Sequence, residues 1–381
     1  MNKILFNGFA REYQSIGADI MRRIEHTISS QNFILGEAVE TFEKRIADYL
    51  NPRIYEGSGQ YRSIHTIGVS SGTDAILMAL MALGIKAGDE VIVPAYSFVA
   101  TGTAVLRVGA IPVFADIDPT TFNVTAQSIH KCISDHTKAI ICVHLFGMPC
   151  DMHAIKQMGI KYNLHIVEDC AQALGAEYNN MKVGTIGDIG CFSFFPAKNL
   201  GAYGDGGLVT TAYPAIAEQL ISIRVHGKSP SSKYENNVLG GNFRLDAVQA
   251  SILAEKLKYL DFHNDTRRVI AKWYDTHLEN YCEIPQILDI PYDFKSSYNQ
   301  YVIKTVKRDK VIKALRDNNI EYAIYYPKPM SEQKCFGDYM NYNCANAKRC
   351  AEQCVALPIH PYMHIGEVHK IVQVVRDALS R

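Results

Sequence analysis

Five short apolar runs, separated by segments of helix length, limit the folds open to this chain. Ile67-Gly68-Val69, Glu90-Val91-Ile92-Val93-Pro94, Ile111-Pro112-Val113-Phe114-Ala115, Ala139 to Leu145 and His165 to Glu168 are each of strand length. Between them Thr73 to Leu83, Phe98 to Val108 and Met152 to Tyr162 carry the apolar content of helices. Nearly continuous apolar strands are buried on both faces, which is the condition of a parallel sheet covered by helices. Gly190 to Phe195 and Gly207 to Thr211 read as two more strands, near an edge or in a hairpin. The expected class is therefore α/β with a mostly parallel central sheet.

Ahead of this region, residues 17 to 50 read as helices, with Ala38, Val39, Phe42, Ile46 and Leu50 at helical spacing. Residues 51 to 63, rich in Gly, Tyr, Ser and Arg, read as a loop. A long helix is expected to begin at Arg244 and run to Leu260, after which the composition shifts. The remainder reads as a smaller α+β unit, with a strand at Tyr301 to Lys304, a helix at Lys310 to Asn318 and closing helices. A length of 381 residues accommodates a large domain over 1–260 and a small one over 261–381.

The 39 basic residues balance 39 acidic ones, which argues against a protein that coats nucleic acid. The ten cysteines are scattered and form no C-x-x-C. Cys350 and Cys354, in a segment of helical character, lack a second pair to complete a zinc site. His360 and His364 are four apart, but Pro361 between them breaks the helix a metal pair needs, so no metal is expected. No hydrophobic leader follows Met1, and no apolar stretch spans a bilayer, so no membrane partner and a cytoplasmic location are expected.

Ligands of open α/β sheets bind outside the carboxyl ends of the strands. Four polar clusters follow strands here: Ser70-Ser71-Gly72-Thr73-Asp74, Pro94-Ala95-Tyr96-Ser97-Phe98, Glu168-Asp169-Cys170-Ala171-Gln172 and Ser193-Phe194-Phe195-Pro196-Ala197-Lys198. Taken alone, Ser71-Gly72-Thr73 reads first as a helix cap and second as an anion cradle. Asp169 alone reads as a salt bridge or cap, Lys198 as a surface amine and Phe98 as a core residue. Lys198 and Asp169 together reverse that balance. Pyridoxal phosphate requires a lysine for its aldehyde and an acid against its ring nitrogen. Phe98 then serves to stack on the ring and Gln172 to bond its edge.

The same words resemble the DegT/DnrJ/EryC1/StrS family of nucleotide-sugar aminotransferases, pyridoxal-phosphate enzymes of fold type I. The matching stretches include Ser71-Gly72-Thr73-Asp74-Ala75, Val143-His144-Leu145-Phe146-Gly147, Glu168-Asp169-Cys170-Ala171-Gln172 and Ser193 to Gly201. Gly204-Asp205-Gly206-Gly207 and Gly241 to Ala250 complete them, so the resemblance covers essentially the whole chain. It implies that Lys198 is the Schiff-base lysine, Asp169 the partner of the pyridine nitrogen and Gln172 the neighbour of the ring hydroxyl. By the same resemblance Gly72, Thr73 and Ser193 bind the phosphate and Phe98 stacks on the ring. Asn242 reaches the phosphate from the neighbouring subunit of a homodimer, and Arg244 and Tyr326 contact the substrate. That substrate is a nucleotide-linked keto-sugar, with L-glutamate as amino donor.

The 51–63 loop is longer than the family's usual connection, and Ser331 stands where many relatives have His near the sugar. A dinucleotide or P-loop reading fails: Gly184, Gly187 and Gly190 have the wrong spacing, and Ser222 occupies the glycine position ahead of Gly227-Lys228-Ser229. Two alternatives stay open, a deoxysugar dehydratase on the same cofactor and a non-catalytic regulator. The first is disfavoured because such relatives replace the lysine with His. The second is disfavoured by the lack of an appended DNA-binding segment.

Overall fold

A computed structural model describes residues 3–50, 63–229, 231–232, 234–284, 293–340 and 343–380. The loop expected at 51–63 therefore lies, but for its last residue, outside the described residues. Two helices open the chain, α1 (Phe9–Ser30) and α2 (Glu37–Leu50). The alternating region then gives β1 (His65–Val69), α3 (Gly72–Ala82), β2 (Glu90–Pro94), α4 (Ala100–Arg107), β3 (Ile111–Ala115), α5 (Ala126–His130), β4 (Thr137–Val143), α6 (Met152–Tyr162) and β5 (His165–Asp169). Two-residue strands β6 (Glu177–Tyr178) and β7 (Met181–Lys182) precede β8 (Ile189–Ser193), β9 (Gly207–Thr211) and α7 (Pro214–Arg224).

A seven-stranded sheet of order β1-β9-β8-β5-β4-β2-β3 forms the centre. Only β9 runs against its neighbours; it pairs antiparallel with β1 and β8, while the other pairs are parallel. The carboxyl ends of β1, β2, β4, β5 and β8 consequently meet at one edge of the sheet. Val91, Ile92, Val93, Ile140, Ile141 and Val167 are almost completely buried, as their apolar runs require.

The C-terminal part contains α8 (Ala247–Lys256), α9 (Leu260–Leu278), β10 (Phe294–Lys295), β11 (Tyr301–Lys304), α10 (Arg308–Asp317), α11 (Ala345–Gln353), β12 (Cys354–Leu357) and α12 (Ile365–Ser380). A second apolar cluster gathers here around Tyr274, Leu278, Tyr301, Val311, Leu315 and Ile371, and Ile4 joins it through a bridge to Ile320. No helix among the described residues is long and apolar enough to cross a membrane.

Two local expectations are corrected. The helix expected from Arg244 begins at Ala247, because the preceding backbone is taken up elsewhere. Asn242, Arg244 and Asp246 form bridges to Val225, Val69 and Ile34, and Ser70 donates its N–H to the Phe243 carbonyl at 2.9 Å. A helix cannot start while these groups serve extended neighbours. Cys354 likewise is not helical; α11 stops at Gln353 and Cys354 opens β12.

Where α9 meets the turn after β12, buried His263 and His360 crowd around the buried guanidinium of Arg267. Burial, and then the Arg267 charge, push both imidazoles down to about 4. Their neutral forms are favoured in the fold, so this stability is complete above the ordinary pKa of about 6.5 and is lost as pH falls towards 4. The loss is expected to be on the order of 3 kcal/mol per histidine, read by denaturant unfolding at pH 7 and pH 4.5. A His360→Gln variant should flatten that pH dependence; an unchanged slope would count against the assignment.

Candidate active site

A cleft of about 590 Å³ opens where the strand ends meet. Gly72, Thr73, Phe98, Asp169, Gln172, Ser193, Lys198 and Tyr326 all line it, so eight of the ten residues singled out in the sequence come together. Asn242 and Arg244 do not. They line a second cleft of about 550 Å³ that shares Ser71 and Asp205 with the first.

The two readings of the Ser-Gly-Thr turn are both satisfied. Ser71 caps α3, its hydroxyl accepting from the Asp74 N–H at 3.1 Å, and the hydroxyls of Ser70 and Ser71 donate to the Asp74 carboxylate. Gly72 and Thr73 open the helix, where backbone N–H groups have no helical acceptor and the dipole favours an anion. A Cβ on Gly72 would sit 2.6 Å from the Cβ of Ser193, so only glycine leaves room between these two strand ends. That close approach fits a phosphate cradle.

Asp169 ends β5 and is 4% exposed. Its two oxygens accept from the Thr101 hydroxyl at 2.8 Å and the Ala171 N–H at 3.1 Å. Burial raises its pKa despite these donors and despite the charge of Lys198. Lys198 is half-buried in the cleft lining, and its amine makes no hydrogen bond or ion pair with the described residues. Burial brings that amine down to about 8, against the opposing pull of Asp169. A desolvated amine and a buried carboxylate in one cleft are the donor set pyridoxal phosphate needs.

Thr101 had no signal in the sequence beyond its position four residues after Ser97, whose hydroxyl lies 3.2 Å from its own. Thr101→Val removes a donor that lowers the pKa of Asp169. The carboxylate should then ionise only at higher pH. Turnover is expected to fall about tenfold, with the acidic limb of the kcat profile moved upward. A profile unchanged in position would remove Thr101 from this role.

Gln172 is held from two sides. Its oxygen accepts from the Phe146 N–H at 2.7 Å, and its amide donates to the Tyr326 hydroxyl at 3.1 Å. The backbone around Tyr326 is anchored by fully buried Tyr96, whose hydroxyl donates to the Tyr325 carbonyl and accepts from the Tyr326 N–H. Phe98 is 56% exposed and faces the cleft, so the core alternative for it is corrected. Ser331 is buried and is not part of the cleft lining.

The polar run Ser296 to Gln300 was not recognised in the sequence, where it resembles any surface loop. In the fold it is a buried strap behind the lysine. Ser296 and Ser297 donate to the carbonyls of Gly147 and Gln172, Asn299 donates to the Ala197 carbonyl, and Asn199 donates to the Ser297 carbonyl. Both chain neighbours of Lys198 are thus tied to one segment.

Behind Asp169, fully buried Glu168 accepts from the N–H groups of Gly184, Ile186 and Gly187 and lies 3.0 Å from His144 Nε2. Cys150 donates its N–H to His144 Nδ1, which leaves Nε2 to carry the proton towards Glu168. These donors outweigh burial and hold the Glu168 carboxyl below its ordinary range. His144, Glu168 and Cys170 are close enough to surround a cation, but no ion is present. The His144 nitrogens and Glu168 oxygens are already bonded within the protein.

Comparison with known proteins follows the same lines. Residues 14–376 match the model of the DegT/DnrJ/EryC1/StrS aminotransferase family. The chain is 41% identical over 361 residues to a UDP-N-acetyl-3-dehydro-alpha-D-glucosamine 3-aminotransferase of Acidithiobacillus ferrooxidans, covering 95% of this chain and 94% of that one. It is 38% identical to a dTDP-3-amino-3,6-dideoxy-alpha-D-galactopyranose transaminase of Aneurinibacillus thermoaerophilus, with 94% of each chain covered. Among solved structures, NtdA of Bacillus subtilis with its PMP cofactor bound superposes with a TM-score of 0.89 at 30% identity, over 100% of this chain and 86% of that one.

Proposed function

The chain belongs to the DegT/DnrJ/EryC1/StrS aminotransferase family, and from that premise we propose that it moves an amino group from L-glutamate to carbon 3 of a nucleotide-linked keto-sugar. It is an aminotransferase, and its cofactor is pyridoxal 5'-phosphate. The observation that carries the reading is the desolvated Lys198 amine sharing one cleft with the buried Asp169 carboxylate. Amination at carbon 3 is supported by the names of the two curated relatives, both of which specify that position.

When bound, the cofactor supplies an aldehyde and a protonated ring that draws electrons from the carbon bearing the amine. Gly72, Thr73 and Ser193 would hold its phosphate, Phe98 would stack on its ring, Gln172 would bond its edge, and Asp169 would keep its ring nitrogen protonated. Lys198 anchors the aldehyde. With its amine lowered to about 8, a useful fraction is free base near neutral pH. It removes the proton at the α-carbon of glutamate and, in the second half, delivers one to carbon 3 of the sugar. Tyr326 and Arg244 contact the sugar nucleotide.

The working unit is a homodimer with shared sites, in which a second copy brings Asn242 to the phosphate of the first. Support comes from the exposed position of Asn242 in a cleft adjoining the main one. Exposed Phe9, Tyr13, Phe33, Ile34 and Leu239 offer apolar area for such a contact. Ten unpaired cysteines and a nucleotide-linked substrate support a cytoplasmic setting. The amino sugar produced serves surface polysaccharides or glycosylated natural products.

The test is the visible absorbance of the protein loaded with pyridoxal phosphate. Adding L-glutamate should convert the band of the aldehyde form to that of the amine form. UDP-N-acetyl-3-dehydro-glucosamine should then restore the original band. A band that glutamate leaves in place would reject that donor and favour the dehydratase or regulator alternatives.

A further inference from the structure

Gln300 closes the strap behind Lys198 and lines the main cleft. Its root is fixed, because its N–H donates to the Phe146 carbonyl and β11 begins at the next residue. The residue is only 9% exposed, yet its carboxamide oxygen is buried without a donor. Its carboxamide makes no hydrogen bond to the described residues. A buried amide oxygen is ordinarily completed by a water or a ligand. Of the nine buried side-chain atoms without a partner among the described residues, only that of Gln300 belongs to a residue lining the main cleft. Nothing in the sequence marked this residue, and the chemistry derived so far does not use it.

The surroundings of Gln300 select the kind of ligand. The residues that line the cleft carry charge only at Asp169, Lys198 and Asp205. The C-terminal third contributes Gln300, Ile324, Tyr325 and Tyr326, all neutral. Because the Tyr326 oxygen already accepts from Gln172, its own hydrogen is available to donate. A neutral wall that can both donate and accept matches the hydroxyl and acylamino substituents of a sugar ring. The carboxylates of an amino-acid donor need cations, and this wall has none.

We propose that Gln300 reads the sugar: its carboxamide hydrogen-bonds a ring hydroxyl or acylamino group of the keto-sugar, which makes it a specificity-determining residue for the second half-reaction. This rests on the sugar-aminotransferase reading above. Its test separates the two. Gln300→Met keeps the side-chain length and removes the amide; Gln300→Asn keeps the amide and withdraws it. The glutamate half-reaction, followed by the loss of the aldehyde-form band, should change less than about twofold in both.

With UDP-N-acetyl-3-dehydro-glucosamine, KM should rise about tenfold in Gln300→Met and less in Gln300→Asn, while kcat at saturation stays within a factor of about three. Calorimetric titration of the loaded, unreacting protein with UDP-N-acetylglucosamine or dTDP-glucose, whichever the wild type binds more tightly, should show the same loss of affinity. Unchanged KM and affinity in Gln300→Met would overturn the proposal. So would equal slowing of both half-reactions, which would assign Gln300 to Lys198 or to the fold. A wild type that reacts with glutamate but binds neither sugar nucleotide would overturn the proposal and the sugar reading together. No reaction with glutamate in the wild type rejects that donor and favours the dehydratase or regulator alternatives, and the sugar-nucleotide affinity of Gln300→Met against wild type then decides the proposal by itself.

Discussion

Lys198→Ala should lose at least about four orders of magnitude in steady-state transamination while folding as well as the wild type. The two halves of this expectation come from the same observation. The Lys198 amine has no hydrogen bond or ion pair among the described residues, and burial depresses it to about 8. Removing it breaks no hydrogen bond and relieves a desolvated amine, while buried Asp169 loses a favourable charge, so the unfolding temperature of the cofactor-free variant should stay close to that of the wild type. Turnover collapses because no other lysine lines the cleft to move the proton. Substantial turnover by the variant would sink the assignment.

Asp169→Asn is expected to retain cofactor and slow both half-reactions by about 10³-fold. The substitution preserves shape and leaves an amide that can still bond Thr101 or Ala171, so the pocket should survive. What disappears is the negative charge. Without it the ring nitrogen is no longer held protonated, and the carbon bearing the amine is less acidic in either direction of transfer. The same charge supports the Lys198 ammonium. Its loss should lower the lysine pKa further, a shift that titration of the cofactor-free variant would detect. Wild-type-like turnover would rule out the role given to Asp169.

These residues were legible because their chemistry is local. Asp169 and Ser193 end apolar strands, Gly72 opens a helix after another, and Lys198 follows within five residues of Ser193. The sheet was legible for the same reason, since strands buried on both faces carry unbroken apolar runs. Thr101 was not, because its partner Asp169 lies far along the chain, and Gln300 was not, because a polar side chain gives no sign in the sequence of the cavity it lines. Arg244 shows the converse. Its neighbourhood reads as helix, yet pairing with the end of β1 overrides that preference until Ala247. Asn242 and Arg244 differ again: one copy of the chain does not bring them to the cleft.

The strap at 296–300 also sets an order of events. A ribosome delivers Lys198 about a hundred residues, and Asp169 about 130, before it delivers the serines and asparagine that secure their neighbours. A nascent chain that ends at α9 already has the Phe146 bond to Gln172 and the Asn264 bond to Asn199. It lacks the strap's own bonds to Gly147, Gln172, Ala197 and Asn199. The support around the lysine is therefore completed only when the small C-terminal unit has been made, long after the sheet that carries Asp169.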